Sequence, residues 1–298
     1  MIHYQNFIHP EDNAARQQLE AIPGFQTVAK YFMELGLEKM LHGLFMAEKI
    51  RLSSNELPRL YGKLPPICEK FNIAEPEFYL EMNPVPNAFT TGDKQTFLVI
   101  TSGLLDVCDD DELTAVLAHE CGHILCRHVF YRTVANCFVL AADALGLVGK
   151  LAMPIEYALN YWTRRSELSA DRASLVYTGR ISPVVNALLR LTGGPKKLTG
   201  EINVDEYAKQ AAHYYELCQS NTWNNLLQNI AILNRDHPFS AVRVSELTNW
   251  GNSEEFRSLL QAMETHPGMK KCTCGRYNDL KNKFCRFCGK KFKGEANE

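Results

Sequence analysis

"VLAHECGHILCRH", residues 116–128, places two histidines four positions apart with a glutamate directly after the first. Four residues advance an α-helix by a little over one turn, so His119 and His123 share a face and can turn both imidazoles toward one ion. Val116, Leu117, Ala118, Ile124 and Leu125 surround the triplet, and burying two imidazoles and Glu120 among such neighbours is costly without a compensating partner. A zinc ion is one such partner. Hydrolytic zinc sites take three protein ligands and keep a fourth position for water.

The third ligand has to come from elsewhere in the chain. His128 lies five residues after His123, about 140° around a continuing helix, which assigns it to outer contacts or packing. A metzincin pattern needs a glycine where Cys126 stands and a histidine where Val129 stands. "RRSELSADRASL", residues 164–175, offers Glu167 and Asp171 four apart on either side of Ala170, small enough for two helices to approach closely. Glu167 completes a two-His, one-Glu set. Asp171 is placed to accept a hydrogen bond from the outer nitrogen of a ligating histidine and fix its tautomer. The alternative is a surface helix on which Arg164, Arg165 and Arg172 form ion pairs with these acids.

Both motifs sit in a helical context. Asp109, Asp110, Asp111 and Glu112 put negative charge where a helix N-terminus favours it, ahead of apolar residues at helical spacing. A second long helix is predicted over about 155–178, stopping near Gly179. Periodicity predicts further helices in 24–50, in 55–72 with breaks at Pro58 and Pro65-Pro66, and at 182–192, 203–219, 222–233, 239–249 and 253–264. "EFYLEM" and "QTFLVITS" read as short strands, joined by the loop "NPVPNAFTTGDK". The expected fold class is therefore α+β, mostly helical with one small sheet.

The 298 residues carry a formal net charge of −2, unevenly spread. Residues 270–298 hold nine Lys or Arg against three acids, +6, which leaves −8 for the rest. That tail also holds four of the ten cysteines: Cys272 and Cys274, then Cys285 and Cys288. Two close pairs of thiolates suit a tetrahedral structural zinc, so a small zinc ribbon with a structural ion is expected. Its positive charge suits an acidic partner or nucleic acid. The six scattered cysteines and a start without a basic, then apolar, signal pattern suggest a reducing, cytoplasmic setting. The apolar stretch Thr133–Trp162 is interrupted by Asp143, Lys150, Pro154 and Glu156 before a clean span accumulates, so no integral membrane span is expected.

"LAHECGHILCRH", "ELSAD" 44 residues after the second histidine, the preceding "NAF" and "ITSGLL", and the following "DHPFSAVRV" together resemble the gluzincin metallopeptidases of the HtpX and CAAX-prenyl-protease family, over about residues 55–250. The resemblance implies a gluzincin-type domain with catalytic zinc on His119, His123 and Glu167, Glu120 as general base and Asp171 behind the ligands. It further implies that Asn87, Ala88 and Phe89 form an edge that holds an extended peptide, that His237 and Arg243 lie near the cleft, and that His237 serves the developing oxyanion. Absent spans and the added ribbon point to a soluble branch. The expected organisation is an N-terminal helical extension at 1–54, a zinc metallopeptidase domain at 55–265, a linker at 266–271 and a zinc ribbon at 272–293. The expected activity is hydrolysis of peptide bonds in extended or unfolded segments, with two zinc ions per chain. The rival from another class is a non-catalytic adaptor whose ribbon binds nucleic acid or protein.

Overall fold

A computed structural model describes residues 3–22, 25, 37–134, 153–219, 240–264, 269–274, 277–279 and 282–292. In chain order its main elements are α1 (Pro10–Glu20), α2 (Leu37–Glu48), β1 (Ile50–Arg51), α3 (Leu64–Phe71), β2 (Glu77–Glu81), β3 (Ala88–Gly92), β4 (Thr96–Thr101), α4 (Ser102–Val107) and α5 (Asp110–Leu125). There follow α6 (Met153–Thr178), α7 (Ile181–Gly193), α8 (Val204–Gln219), α9 (Ser240–Gly251), α10 (Glu254–Glu264), β5 (Met269–Lys271) and β6 (Tyr277–Asp279). The fold is α+β and mostly helical, as expected. The helix expected at 222–233 and most of the apolar stretch at 133–162 lie outside the described residues. Among those described, no helix is long and apolar enough to cross a membrane.

The sheet runs in the order β1-β2-β4-β3, with β2 and β4 parallel and β3 antiparallel to β4 at the edge. Alternation gives it two buried faces. Phe78, Ala88, Leu98 and Ile100 join the main core with Ile67 of α3 and Leu117 of α5, whereas Tyr79, Phe97 and Val99 pack under Phe45 of α2. Strand β3 corrects the sequence reading, which took 83–94 as a loop. Its Phe-Thr-Thr core is good strand sequence, but Pro84 and Pro86 precede it and Gly92 ends it. At Gly92, φ is +109°, and an added Cβ would meet the Gln95 carbonyl oxygen at 2.0 Å, so this turn into β4 demands glycine.

Helix α5 is the central element, buried from Glu112 to His123 except at Thr114. Asp109 caps it by accepting from the amides of Asp111 and Glu112, while Glu112 accepts from the amide of Asp109, a reciprocal capping box. Helix α6 crosses α5 and ends at Gly179, where φ is +67°, as the sequence predicts. The N-terminal segment expected as an extension is packed into the structure: Ala15 and Leu19 of α1 share a cluster with Tyr131, Leu159 and Trp162. At the other end, Met269–Lys271, expected within the linker, pairs with Tyr277–Asp279 as a two-stranded sheet.

Candidate metal centre

Helices α5 and α6 bring the three expected ligands together. His119 Nε2 and His123 Nε2 are 3.2 Å apart; Glu167 Oε2 is 3.4 Å from His119 Nε2, and its Oε1 is 3.3 Å from His123 Nε2. A tetrahedral ion about 2.0–2.1 Å from each donor separates them by about 3.3–3.4 Å. The donor set therefore fits a zinc ion in both chemistry and spacing.

Each ligand is held from behind. His119 Nδ1 lies 2.9 Å from Asp171 Oδ1, and the Arg243 guanidinium grips both Asp171 oxygens at 2.7 and 2.8 Å while its Nη1 reaches Glu167 Oε2 at 3.2 Å. Arg243, expected at the cleft, does line it, but its charge is engaged by these two carboxylates. His128 reaches the site by a route the helix geometry did not foresee. Helix α5 ends at Leu125, Arg127 takes a left-handed φ of +61°, and the chain turns so that His128 Nδ1 meets His123 Nδ1 at 3.0 Å.

The electrostatics suit a cation. Burial alone would lower the pKa of His119, but hydrogen bonds and charge from Asp171 and Glu167 raise it to about 9, which shows a strongly negative environment at that ring. His123 moves the other way. Burial, seconded by the Arg132 charge, holds its pKa well below the usual value, leaving a neutral imidazole of the kind a metal requires. Arg132, from the helical turn at 128–134, was not expected here: its Nη1 lies 2.7 Å from His123 Nε2 and 2.9 Å from Glu167 Oε1. No spacing rule marks an arginine nine residues past a ligand.

Glu120 is buried beside the donor atoms and accepts a 3.2 Å hydrogen bond from Thr90 Oγ1 on the edge strand. Ala88, on the same face of β3, lines a pocket next to His119 and Glu120 whose other wall is Val184, Ala187 and Leu188 of α7. Phe89 points to the opposite face and packs against the α2 cluster. Asn87 precedes the strand, its main chain and that of Thr101 hydrogen-bonded to each other. The structure thus brings Ala88 to the site, keeps Asn87 and Phe89 as supports, and leaves His237 outside the described residues.

The pattern of Peptidase family M48 matches residues 58–251, the span that supplies all three donors and Glu120. The chain belongs to peptidase family M48. As a member it is a metalloprotease of a zinc-dependent family. It is 33% identical over 259 residues, 86% of this chain and 75% of the relative, to plastoglobule-localized metallopeptidase 48, chloroplastic, of Arabidopsis thaliana. It is 26% identical over 209 residues, 63% of this chain and 70% of the relative, to a protease HtpX homolog of Nostoc punctiforme, and 28% identical over 179 residues, 50% and 60% of the two chains, to protease HtpX homolog 2 of Methanosarcina mazei. No solved structure matches the chain.

Beyond the M48 span, the four tail cysteines converge as thiols. Their sulfur atoms lie within 4.8 Å of one another, with Cys272–Cys288 at 3.6 Å and Cys274–Cys285 at 3.7 Å. A tetrahedral zinc with sulfur ligands at about 2.3 Å spaces them about 3.7–3.8 Å apart. The thiols divide: although loss of water raises the Cys285 thiol, the amides of Cys288 and Phe287 and the Asn278 side chain bring its pKa down to about 6, whereas Cys288, despite the Lys290 amide, is pushed up to about 11 by loss of water and the three neighbouring thiols.

Proposed function

We propose that this M48 protein is an endopeptidase that cleaves extended or unfolded protein segments, with a catalytic zinc held by His119, His123 and Glu167 and a structural zinc held by Cys272, Cys274, Cys285 and Cys288. The observation that supports it most is the pairing of a convergent three-donor set with a buried carboxylate, Glu120, that adjoins the donors and hydrogen-bonds the edge strand. When bound, zinc supplies Lewis acidity toward water and the scissile carbonyl. Glu120 takes a proton from the attacking water and delivers it to the leaving amine as the C–N bond breaks. Asp171 and Arg243 keep His119 and Glu167 in register through that cycle. His237 remains the proposed donor to the developing oxyanion.

Strand β3 lies at the sheet edge, the position from which a substrate adds as a further strand by main-chain hydrogen bonds. Ala88 and the apolar wall of α7 then meet a substrate side chain. A segment must be extended to bind this way, which favours unfolded substrate. The test is casein proteolysis by the zinc-loaded chain. Glu120→Gln retains zinc and fold but loses activity by about 10²–10⁴-fold, and chelation abolishes it. Unchanged turnover in Glu120→Gln defeats the assignment of Glu120.

A further inference from the structure

His123 is tied to the N-terminal helix, which lies outside the M48-matched span. Its Nδ1 meets His128 Nδ1, and His128 Nε2 lies 3.0 Å from Asp12 Oδ2 on α1. Asp12 also accepts from Ser169 Oγ at 2.5 Å, and Ser169 accepts in turn from the amide of His9. All of these side chains are buried. Asp12 faces no Lys or Arg among the ion pairs of the described residues, and a buried carboxylate without such a partner is costly.

The two ends of this chain of contacts set its polarity. A guanidinium only donates, so Arg132 at 2.7 Å requires a lone pair on His123 Nε2 and a proton on its Nδ1. At the far end a carboxylate only accepts, so His128 carries a proton on Nε2; with His123 Nδ1 donating, His128 Nδ1 is the acceptor and the ring holds that one proton. The two contacts together are consistent with the tautomer of His123 that carries its lone pair on Nε2, the form a metal requires, and Arg132 must yield that lone pair when an ion binds. Replacing the carboxylate by an amide removes the constraint, because an amide nitrogen can donate to His128 Nε2 and reverse the chain.

We propose that Asp12 is a positioning residue for His123, acting through His128, so that docking of the N-terminal helix and metal binding are coupled. This rests on the reading of His123 as a metal ligand. Linkage makes the coupling reciprocal: metal binding secures α1, and release of α1 loosens the metal.

The test uses the full chain loaded with cobalt(II) or zinc, with the thiolate charge-transfer band of cobalt reporting the cysteine cluster separately. Asp12→Asn weakens metal binding at the histidine site ten- to a hundredfold and leaves the cysteine signal unchanged. Zinc slows hydrogen exchange of α1 in the wild type and not in Asp12→Asn. A folded Asp12→Asn chain that binds within twofold of wild type overturns the proposal. Should that variant fail to fold, nitrogen NMR of the wild-type zinc-loaded chain decides: His128 neutral with its proton on Nε2 supports the relay, and a proton on Nδ1 overturns it. His123→Ala separates the two readings. Full metal at the histidine site in His123→Ala defeats the ligand assignment itself, whereas metal lost there but kept in Asp12→Asn defeats only the relay.

Discussion

Gly122 lies against Ala173 so closely that a β-carbon at position 122 would stand 2.6 Å from that of Ala173 and 3.3 Å from the α-carbon of Ala170. Glu167 reaches the histidines because α5 and α6 touch at these small residues. Gly122→Ala is expected to force the helices apart, destabilise the fold by about 1–3 kcal/mol and weaken zinc binding at least tenfold. Chelator competition and thermal melts measure both, and wild-type affinity in Gly122→Ala would show that the contact does not set the donor spacing.

Glu167→Ala removes one of three donors. Elemental analysis should fall from two zinc ions per chain to one, with the remaining ion lost only when the four tail cysteines are replaced by serine. Two ions retained in Glu167→Ala would mean that another residue is the third ligand.

Proton and metal compete at His119. Its pKa in the fold is raised to about 9, against about 6.5 in an unfolded chain, so the protonated ring stabilises the metal-free protein fully below pH ~6.5, and that contribution is lost as pH rises through about 9. Urea unfolding of the chelated protein should show stability declining across this window, with the decline flattened in His119→Asn. Zinc affinity should rise over the same window, because each ion displaces the His119 proton. Chelated protein that gains stability between pH 6.5 and 9 contradicts the assignment.

Glu112 and Arg190 form a buried ion pair at 2.9 Å, both side chains 2% exposed. Arg190→Met strands a buried carboxylate and should cost about 3–5 kcal/mol by denaturant melts, whereas adding Glu112→Gln should recover much of it. Equal losses in the single and double variants would show that the pair itself is not what matters.

Local pattern carried the metal helices well. The acidic run before α5 became a capping box, Gly179 ended α6, and the four-residue spacings of His119–His123 and Glu167–Asp171 put each pair on one helix face, with the two faces meeting. What escaped the sequence depends on contacts with no local signature. No helix is predicted over Pro10–Glu20 and nothing marks Asp12, yet it meets His128 across 116 positions of chain. Arg127 adopts its left-handed turn without a glycine to announce it, so the return of His128 to His123 was hidden. Strand β3 was masked by flanking prolines, and β5 is three residues long, too short to display a period.

Glu112 closes the capping box of α5 and also supplies the counter-charge for Arg190 on α7. One carboxylate therefore fixes where the histidine helix begins and where Val184, Ala187 and Leu188 stand. Histidine helix and pocket wall form a single casting, and sliding α7 would strain the frame that brings His119, His123 and Glu167 together. If the pocket takes a substrate side chain as proposed, its preference is open to retuning by exchanging residues along α7 while the helix itself stays in place.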